Sequence, residues 1–195
     1  PALGSTLTHD YITTDYSEAL IELVTPAFPE SWQLLQFLCD LHQFVYRHLG
    51  DELLWATSMP CIVGGDHEIP IARYGRSNIG KLKEVYRLGL GHRYGRLMQA
   101  ISGVHFNYSF PARFWEALGE ALQAKRADQD FISSQYFALL RNYRRYGWLI
   151  LYLFGNSPAL CASFVKGREH TLRELTPGTL YEPYATSLRM SDLGY

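Results

Sequence analysis

Residues 97–111 read L-M-Q-A-I-S-G-V-H-F-N-Y-S-F-P, and their alternation predicts a central strand. One face would carry hydrogen-bonding side chains and the other apolar and aromatic ones, with Ile101 as the main exception. The polar face comprises Gln99, Gly103, His105, Asn107 and Ser109, and the apolar face comprises Met98, Ala100, Val104, Phe106, Tyr108 and Phe110. A solvated strand face usually carries Lys, Glu and Thr. We therefore expect this strand to form the floor of a cleft.

A partner for this strand is predicted near the start of the chain. Residues 7–26 indicate two short strands around a turn at Asp15 to Glu18, and the second strand, Ala19 to Thr25, has the Leu, Ile and Val content of a buried strand. Glu22 lies in its middle. A carboxylate there must be paired, metal-bound or protonated, because desolvating it alone is costly.

Two explanations of these carboxylates stay open at this point. Glu22 could form a salt bridge across the strand, and Asp15 could be an ordinary turn residue. Alternatively, the two together form a site for a hard cation. Mg²⁺ is the natural occupant, because it binds a few carboxylates together with waters and substrate phosphates.

Composition limits the protein class. The chain has 195 residues, 47% of them hydrophobic, and a formal net charge of -1. It is long enough for one domain or most of a larger one, and its charge gives no reason to expect a nucleic-acid partner. Its three cysteines lack a C-x-x-C pair, which favours a reducing compartment. We find no leader or membrane-length apolar run and expect a cytoplasmic protein without a membrane partner.

Helical periodicity and capping residues predict the main elements outside these strands. Gly89-Leu90-Gly91 follows a helix and lacks Gly-Lys-Ser/Thr, so it does not indicate a nucleotide-binding glycine loop. Residues 51–74 are expected to form a long loop and the last forty residues an irregular region. The predicted helices are Ser31, as N-cap, to Gly50; Asn78 to Tyr94; Pro111 to about Lys125; and Asp128 to Phe154.

The C-terminal stretch contains a candidate for carboxylate binding. Residues 184–195 are dense in polar and aromatic groups, and the guanidinium of Arg189 can bind a carboxylate through two parallel hydrogen bonds. A structural salt bridge between Arg189 and Asp192 is an equally reasonable alternative. The chain begins at Pro1 without a methionine, and Tyr195 shows no element ending. We therefore expect a part of a longer polypeptide.

Several blocks of sequence together resemble one enzyme family. They are I-T-T-D-Y-S-E-A-L-I-E-L-V-T-P at 12–26, W-A-T-S-M-P-C at 55–61, Y-G-R-S-N-I-G-K at 74–81, Q-A-I-S-G-V-H-F-N-Y-S at 99–109, Y-L-F-G-N-S-P-A at 152–159 and Y-A-T-S-L-R-M-S-D-L-G-Y at 184–195. They resemble, in order, the bacterial glutamate–cysteine ligases, also called γ-glutamylcysteine synthetases. The resemblance implies an α+β fold of the glutamine synthetase type, with a curved, mainly antiparallel sheet and helices outside it. Residues 1–195 would form a single, incomplete catalytic domain.

The resemblance also implies a reaction, the first step of glutathione biosynthesis. ATP would phosphorylate the γ-carboxylate of glutamate, and the amine of cysteine would displace the phosphate to form an amide. Mg²⁺ would bridge protein carboxylates and nucleotide phosphates, which agrees with the general chemistry of phosphoryl transfer. The partners are then the small molecules glutamate, cysteine and ATP.

Site residues follow from the matched motifs. The resemblance implies that Asp15, Glu22 and His105 lie at the metal end, where His105 binds metal or a phosphoryl oxygen. It implies that Arg189 holds the α-carboxylate of glutamate, so that His105 and Arg189 form the catalytic pair. The residues implied to form the cysteine pocket are Tyr16, Tyr86, Leu90, Gln99 and Tyr195.

Part of the family pattern is absent from this chain. The family has an acidic E-x-E strand upstream and further ligands downstream, so we expect the isolated 195-residue chain to be inactive. Two alternatives remain. One is a sister carboxylate–amine ligase with another acceptor, against which the cysteine-pocket block around Tyr86 and Gln99 argues. The other is a non-catalytic binding module on the same fold, in which substituting Asp15, Glu22 or His105 would not weaken nucleotide or glutamate binding.

Overall fold

The computed structural model describes residues 3–124, 127–191 and 193. It forms two compact units, the first ending at Gly103 and the second beginning at Val104. Each unit contains helices and a small antiparallel sheet, which confirms the mixed α and β character expected from the sequence.

The first unit begins with the predicted pair of strands. β1 (Ile12–Thr14) and β2 (Ile21–Leu23) are antiparallel, with Ile12 opposite Leu23 and Thr13 opposite Glu22. The Asp15 N–H donates to the Leu20 carbonyl at 3.0 Å and extends the pairing by one step. The prediction of two strands around a turn is confirmed, although both strands are shorter than expected.

Helix α1 (Ser31–Tyr46) covers one face of this hairpin. Its Leu41 and Val45 are buried together with Ile12 of β1, and these three residues form an apolar cluster beneath the hairpin. The helix begins one residue earlier than predicted, because Glu30 has the extended N-cap backbone and its carbonyl accepts from the amide of Leu34. Ser31 as N-cap is therefore wrong.

The end of α1 also differs from the prediction. The last α-helical residue is Tyr46, and the next turn tightens where the His48 amide donates to the Val45 carbonyl. A bond between residues three apart is typical of the final turn of a helix. Gly50, the predicted end, lies beyond this turn with a positive φ of 62°.

Helix α2 (Asn78–Tyr94) has the predicted bounds, and the short helix α3 (Arg96–Gln99) follows it directly. Ser77 caps α2, since its hydroxyl accepts from the Gly80 amide at 3.1 Å. The stretch between α1 and α2 is the predicted long loop, with one 3₁₀ turn at Asp66–Glu68.

The central strand predicted at residues 97–111 is wrong. Its first residues belong to α3, and residues 101–111 contain no strand. Alternation places side chains on two faces of any extended chain, but a strand also needs a backbone partner. No described residue hydrogen-bonds to residues 103–109. Val104 is 97% exposed and Phe106 67%, so these residues do not form a cleft floor in this structure.

The second unit begins with the two remaining helices, α4 (Ala112–Ala121) and α5 (Gln129–Phe154). Pro111 precedes α4, and the Asp128 carboxylate caps α5 by accepting from the Phe131 amide at 3.1 Å. Both predicted helices are therefore present, although α4 ends at Ala121, before the predicted end near Lys125, and Lys125 itself lies outside the described residues. In the described part of the chain, no helix is both long enough and apolar enough to cross a membrane.

The irregular region predicted after α5 contains a small sheet. Strands β3 (Ala159–Cys161), β4 (Arg173–Thr176) and β5 (Thr179–Tyr181) are antiparallel in the order β3-β5-β4. Pro177 and Gly178 join β4 to β5, and Gly178 has a φ of 80°. A Pro-Gly pair with positive φ at glycine makes a type II turn. Pro177 and Gly178 thus form a hairpin turn, and the expectation of an irregular region is wrong for the residues of this sheet.

Candidate functional site

The hairpin presents the two predicted metal carboxylates to solvent. Asp15 and Glu22 are both exposed, whereas Ile21 and Leu23 on either side of Glu22 are partly buried. Glu22 lies opposite Thr13, and Thr13 shares its strand face with Asp15 by the two-residue alternation. The two carboxylates therefore occupy one face. The expectation that Glu22 lies inside a buried strand is wrong, because β2 buries only its other face.

Tyr16, a predicted pocket residue, is buried beneath this turn. It is only 2% exposed, and its hydroxyl has no hydrogen-bond partner among the described residues. The Ala72 amide donates to its carbonyl at 3.0 Å. Burial raises the pKa of Tyr16 above its ordinary value of 10.0, while the positive charge of Arg96 acts in the opposite direction. Tyr16 is thus a buried residue whose backbone is held by Ala72.

Helix α2 carries two more predicted pocket residues, Tyr86 and Leu90. They are four residues apart and therefore lie on one helix face. Gly91 follows them at the contact with Tyr16, where a β-carbon would be 2.5 Å from the tyrosine hydroxyl. Only glycine allows this approach, so the structure brings Tyr16 against the C-terminal part of the helix that carries Tyr86 and Leu90.

Gln99 ends α3, the short helix that follows α2. Asp66 fixes the first turn of α3, since its carboxylate accepts from the amides of Arg96 at 3.0 Å and Leu97 at 3.1 Å. Leu97 is buried. Gln99 is half-buried, one residue before the buried Ala100. Asp66 was not identified from the sequence, where it appeared only as a loop residue after two glycines.

Arg87 and Tyr74 connect the hairpin turn to α2. The Arg87 side chain donates from Nε to the Asp15 carbonyl at 2.7 Å and from a terminal nitrogen to the Thr14 carbonyl at 3.3 Å. Tyr74 donates its hydroxyl to the Thr14 carbonyl at 2.9 Å, and the Arg87 guanidinium lies 4.7 Å from its ring centroid. Neither residue was predicted as part of the site, because their partners are distant in sequence.

The second unit contains the remaining predicted residues. His105 is exposed in the stretch without helix or strand before α4, and Arg189 is exposed in a 3₁₀ turn at Leu188–Met190. Just before that turn, the hydroxyl of Thr186 donates to the Leu151 carbonyl at 2.6 Å and so holds the chain against α5. Tyr195, and Asp192 of the alternative salt bridge, lie outside the described residues.

The predicted site is thus assembled in part. Tyr16 and the helix carrying Tyr86 and Leu90 meet in the first unit, while His105 and Arg189 belong to the second. Within residues 3–124, 127–191 and 193, no group of three or more His, Cys, Asp or Glu side chains is arranged to hold a metal ion. The three-ligand metal set therefore stays a prediction, as do the roles of individual pocket residues.

Comparison with known proteins gives one consistent result. A family model described as glutamate–cysteine ligase matches residues 1–195. A glutamate–cysteine ligase from Alcanivorax borkumensis is 60% identical over 195 residues, and one from Pseudomonas putida strain W619 is 58% identical over 194 residues. These matches cover 100% of the chain and 37% of each relative, so the chain spans about a third of their length.

A solved structure agrees with these sequence matches. The chain resembles the crystal structure of a glutamate–cysteine ligase from Francisella tularensis in complex with AMP, with a TM-score of 0.84 and 40% sequence identity. The match covers 99% of the chain and 38% of that protein. Both units therefore have counterparts in one solved polypeptide.

Proposed function

Because the chain belongs to the glutamate–cysteine ligase family, we propose that the protein joins the γ-carboxylate of glutamate to the amine of cysteine, with ATP as phosphoryl donor. The family model's match to residues 1–195 is the observation that carries this proposal. The AMP named with the Francisella structure supports an adenine nucleotide as substrate. The reaction would be the first step of glutathione biosynthesis.

The proposed reaction has two displacements. A γ-carboxylate oxygen of glutamate attacks the terminal phosphorus of ATP, and ADP leaves. The amine of cysteine then attacks the carbonyl carbon of the γ-glutamyl phosphate, loses a proton and expels inorganic phosphate. Both steps depend mainly on aligning the reactants and stabilising charge on phosphoryl oxygens.

Asp15 and Glu22 would hold a magnesium ion in this site. Both carboxylates are exposed on one face of the hairpin, which fits a cation that binds one or two carboxylates, waters and substrate phosphates. When bound, the ion would neutralise phosphate charge. His105 would contribute a neutral imidazole, either as a further ligand or as a hydrogen-bond donor to a phosphoryl oxygen. Its exposed ring supports either role.

The remaining residues would bind the two amino acids. Arg189 would hold the α-carboxylate of glutamate through the two-pronged geometry of its guanidinium. Tyr86, Leu90, Gln99 and Tyr195 would line the cysteine pocket, and the 62% exposure of Tyr86 supports a role in contacting a ligand. The burial of Tyr16 supports a role as a wall behind the pocket.

We further propose that both units belong to one catalytic domain with the curved, mainly antiparallel sheet of glutamine synthetase. The match of 99% of the chain to one solved glutamate–cysteine ligase supports a shared fold. The protein would act on small molecules in the cytoplasm, without nucleic-acid or membrane partners. The net charge of -1 gives no electrostatic attraction to nucleic acid, and the sequence contains no apolar run of membrane-spanning length; both observations support this part of the proposal.

Activity of the full-length protein tests the proposal. ADP release should require glutamate, cysteine and Mg²⁺ together. Glu22→Gln, which removes one negative charge at nearly constant size, should lower kcat/KM about 100-fold and raise the Mg²⁺ concentration for half-maximal activity. A coupled spectrophotometric assay with a Mg²⁺ titration measures both quantities.

Asp10→Asn is the matched control, because Asp10 is an exposed carboxylate just before the same hairpin. It should leave the Mg²⁺ titration unchanged. ADP release that is no faster with cysteine than without it, but is faster when another amine is supplied, would reject this acceptor in favour of that amine. An unchanged Mg²⁺ requirement in Glu22→Gln would reject the proposed metal end.

A further inference from the structure

We propose that Arg87 and Tyr74 are positioning residues that hold the hairpin turn of the metal end against the helix of the cysteine pocket. The inference deepens the proposed ligase function and rests on it. It concerns how the hairpin turn with Asp15 and helix α2 are held at a fixed distance and orientation. We do not propose that Arg87 or Tyr74 contacts a substrate.

The turn accepts an unusual concentration of hydrogen bonds on its backbone. The Thr14 carbonyl accepts from both Arg87 and Tyr74, which uses both lone pairs of one oxygen. The Asp15 carbonyl accepts from Arg87 at 2.7 Å, the shortest of these bonds. Because the backbone itself is held, the direction in which the Asp15 side chain leaves the turn is held as well.

The same guanidinium is also attached to its own helix. A terminal nitrogen of Arg87 donates to the Lys83 carbonyl at 3.1 Å, one turn earlier in α2. One planar group thus bonds to three carbonyls on two elements. Lysine cannot replace this arrangement, because an ammonium is a compact charge without a fixed planar fork.

Tyr74 supports Arg87 from a third part of the chain. Its ring lies 4.7 Å from the guanidinium carbon, and Lys83 places its ammonium 5.0 Å from the same ring. Its hydroxyl donates to the Thr14 carbonyl and accepts from the Thr14 hydroxyl at 2.9 Å. Tyr74 is only 7% exposed, so these interactions lie in a partly desolvated setting where they are stronger than in water.

The consequence is a physical link between two substrate functions. Tyr86 precedes Arg87 in α2, and Leu90 follows one turn later on the face of Tyr86. Asp15 precedes Tyr16 in the turn that Arg87 holds. Loosening this connection should therefore displace the proposed metal carboxylate and the proposed cysteine pocket together, whereas the proposed glutamate contact, Arg189, belongs to the other unit.

Kinetics of the full-length protein test the link. Arg87→Met keeps much of the aliphatic stem and removes the fork. It should raise the KM for cysteine and the Mg²⁺ concentration for half-maximal activity about tenfold each, with the KM for glutamate within about twofold of wild type. Tyr74→Phe keeps the ring and removes one donor, so it should shift the same two quantities by smaller factors. Arg87→Lys should not restore wild-type values.

Arg93→Ala is the matched control, because Arg93 is on the same helix and lies 5.8 Å from the ring of its neighbour Tyr94. It should leave all three constants unchanged. A rise in only one constant for Arg87→Met, or wild-type values for Tyr74→Phe, would overturn the inference. If Arg87→Met does not fold, Tyr74→Phe decides. An inactive wild type would instead reject the proposed ligase function.

Discussion

The turn at residues 14–16 accepts side-chain hydrogen bonds from Tyr74 and Arg87, which lie roughly sixty to seventy positions further along the chain. The segment at residues 103–109 accepts none from any described residue. Both stretches carry a proposed site residue, Asp15 in the first and His105 in the second. The backbone of Asp15 is therefore fixed by contacts within this chain, and that of His105 is not.

Packing separates the two regions in the same way. Tyr16 and Ser17 of the turn are 2% and 3% exposed, whereas Val104 is 97% exposed. Within the segment the rings of Phe106 and Tyr108 stack on each other at 6.5 Å, and packing against a helix begins at the residue that follows the segment, Phe110, whose ring lies 4.2 Å from that of Phe114. A site residue is thus most precisely defined where both hydrogen bonds and packing act on its own backbone. The following changes test this difference.

Gly80→Ala should produce the largest effect, because it disrupts the fixed region. A β-carbon at Gly80 would be 2.6 Å from the Tyr74 carbonyl oxygen and 3.0 Å from that of Gly75. Backbone atoms cannot rotate away as a flexible side chain can. We expect the free energy of unfolding of the 195-residue chain to fall by about 2–3 kcal/mol in urea denaturation.

Gly89→Ala is the matched control on the same helix, since a β-carbon added there would meet no atom of the described residues within 4 Å. It should raise the free energy of unfolding by up to about 1 kcal/mol, because alanine favours helix more than glycine does. Equal effects of the two substitutions would show that the close contact between α2 and Tyr74 does not contribute to stability.

Local sequence signals predicted the elements whose determinants are local. The bounds of α2 follow from its hydrophobic spacing, and the start of α5 follows from Asp128; the Ser77 cap of α2 was found only in the structure. The hairpin of β1 and β2 follows from apolar runs around a turn. Each of these signals lies within a few residues of the element that it specifies, so an amino-acid pattern is enough to find it.

The elements that the sequence did not predict depend on distant partners. Residues 97–99 alternate as a strand would, but the Asp66 carboxylate stabilises a helix there from about thirty positions away. Strand β4 is exposed along its whole length, so it lacks the alternation that marks a strand. Its pairing depends on the Pro177-Gly178 turn, which has the same composition as a simple break.

The candidate site shows the same division. The resemblance to the family proposed Asp15, Tyr16 and Tyr86 as site residues, and the structure brings Tyr16 against the helix that carries Tyr86. Arg87 and Tyr74 were not identified, because a lone arginine on a helix is usually a solvated residue. Only their three-dimensional partners distinguish them.

Phe106→Ala, within the segment, and Phe110→Ala, at the residue that follows it, sharpen the comparison. Phe110 packs against Phe114, Trp115 and Tyr136, whereas Phe106 is 67% exposed. We expect Phe110→Ala to lower the free energy of unfolding of the 195-residue chain by about 1–2 kcal/mol and Phe106→Ala by less than about 0.5 kcal/mol. A large loss of stability in Phe106→Ala would show that the Phe106 ring is buried by other residues. The packed part of the chain would then begin before residue 106.

Tyr16→Phe should have the smallest effect, with the opposite sign. It removes a buried hydroxyl that has no partner among the described residues and leaves the ring in place. Because an unsatisfied buried hydroxyl costs free energy, we expect a gain of up to about 1 kcal/mol at neutral pH. Tyr74→Phe is the control, because its hydroxyl bonds to Thr14, and it should instead destabilise the chain.

The pH dependence of Tyr16→Phe separates burial from other causes. Since burial raises the folded pKa of Tyr16 above 10.0, the unfolded chain loses this proton first as the pH rises. Ionisation of Tyr16 therefore leaves the free energy of unfolding unchanged below pH 10.0 and lowers it as the pH rises from 10.0 through the higher folded pKa. Phenylalanine does not ionise, so the advantage of Tyr16→Phe over wild type in urea denaturation should grow as the pH rises above 10.0 and level off once it exceeds the folded pKa. A constant difference across this range would mean that the Tyr16 hydroxyl reaches solvent, and the turn would then be less firmly packed than its contacts indicate.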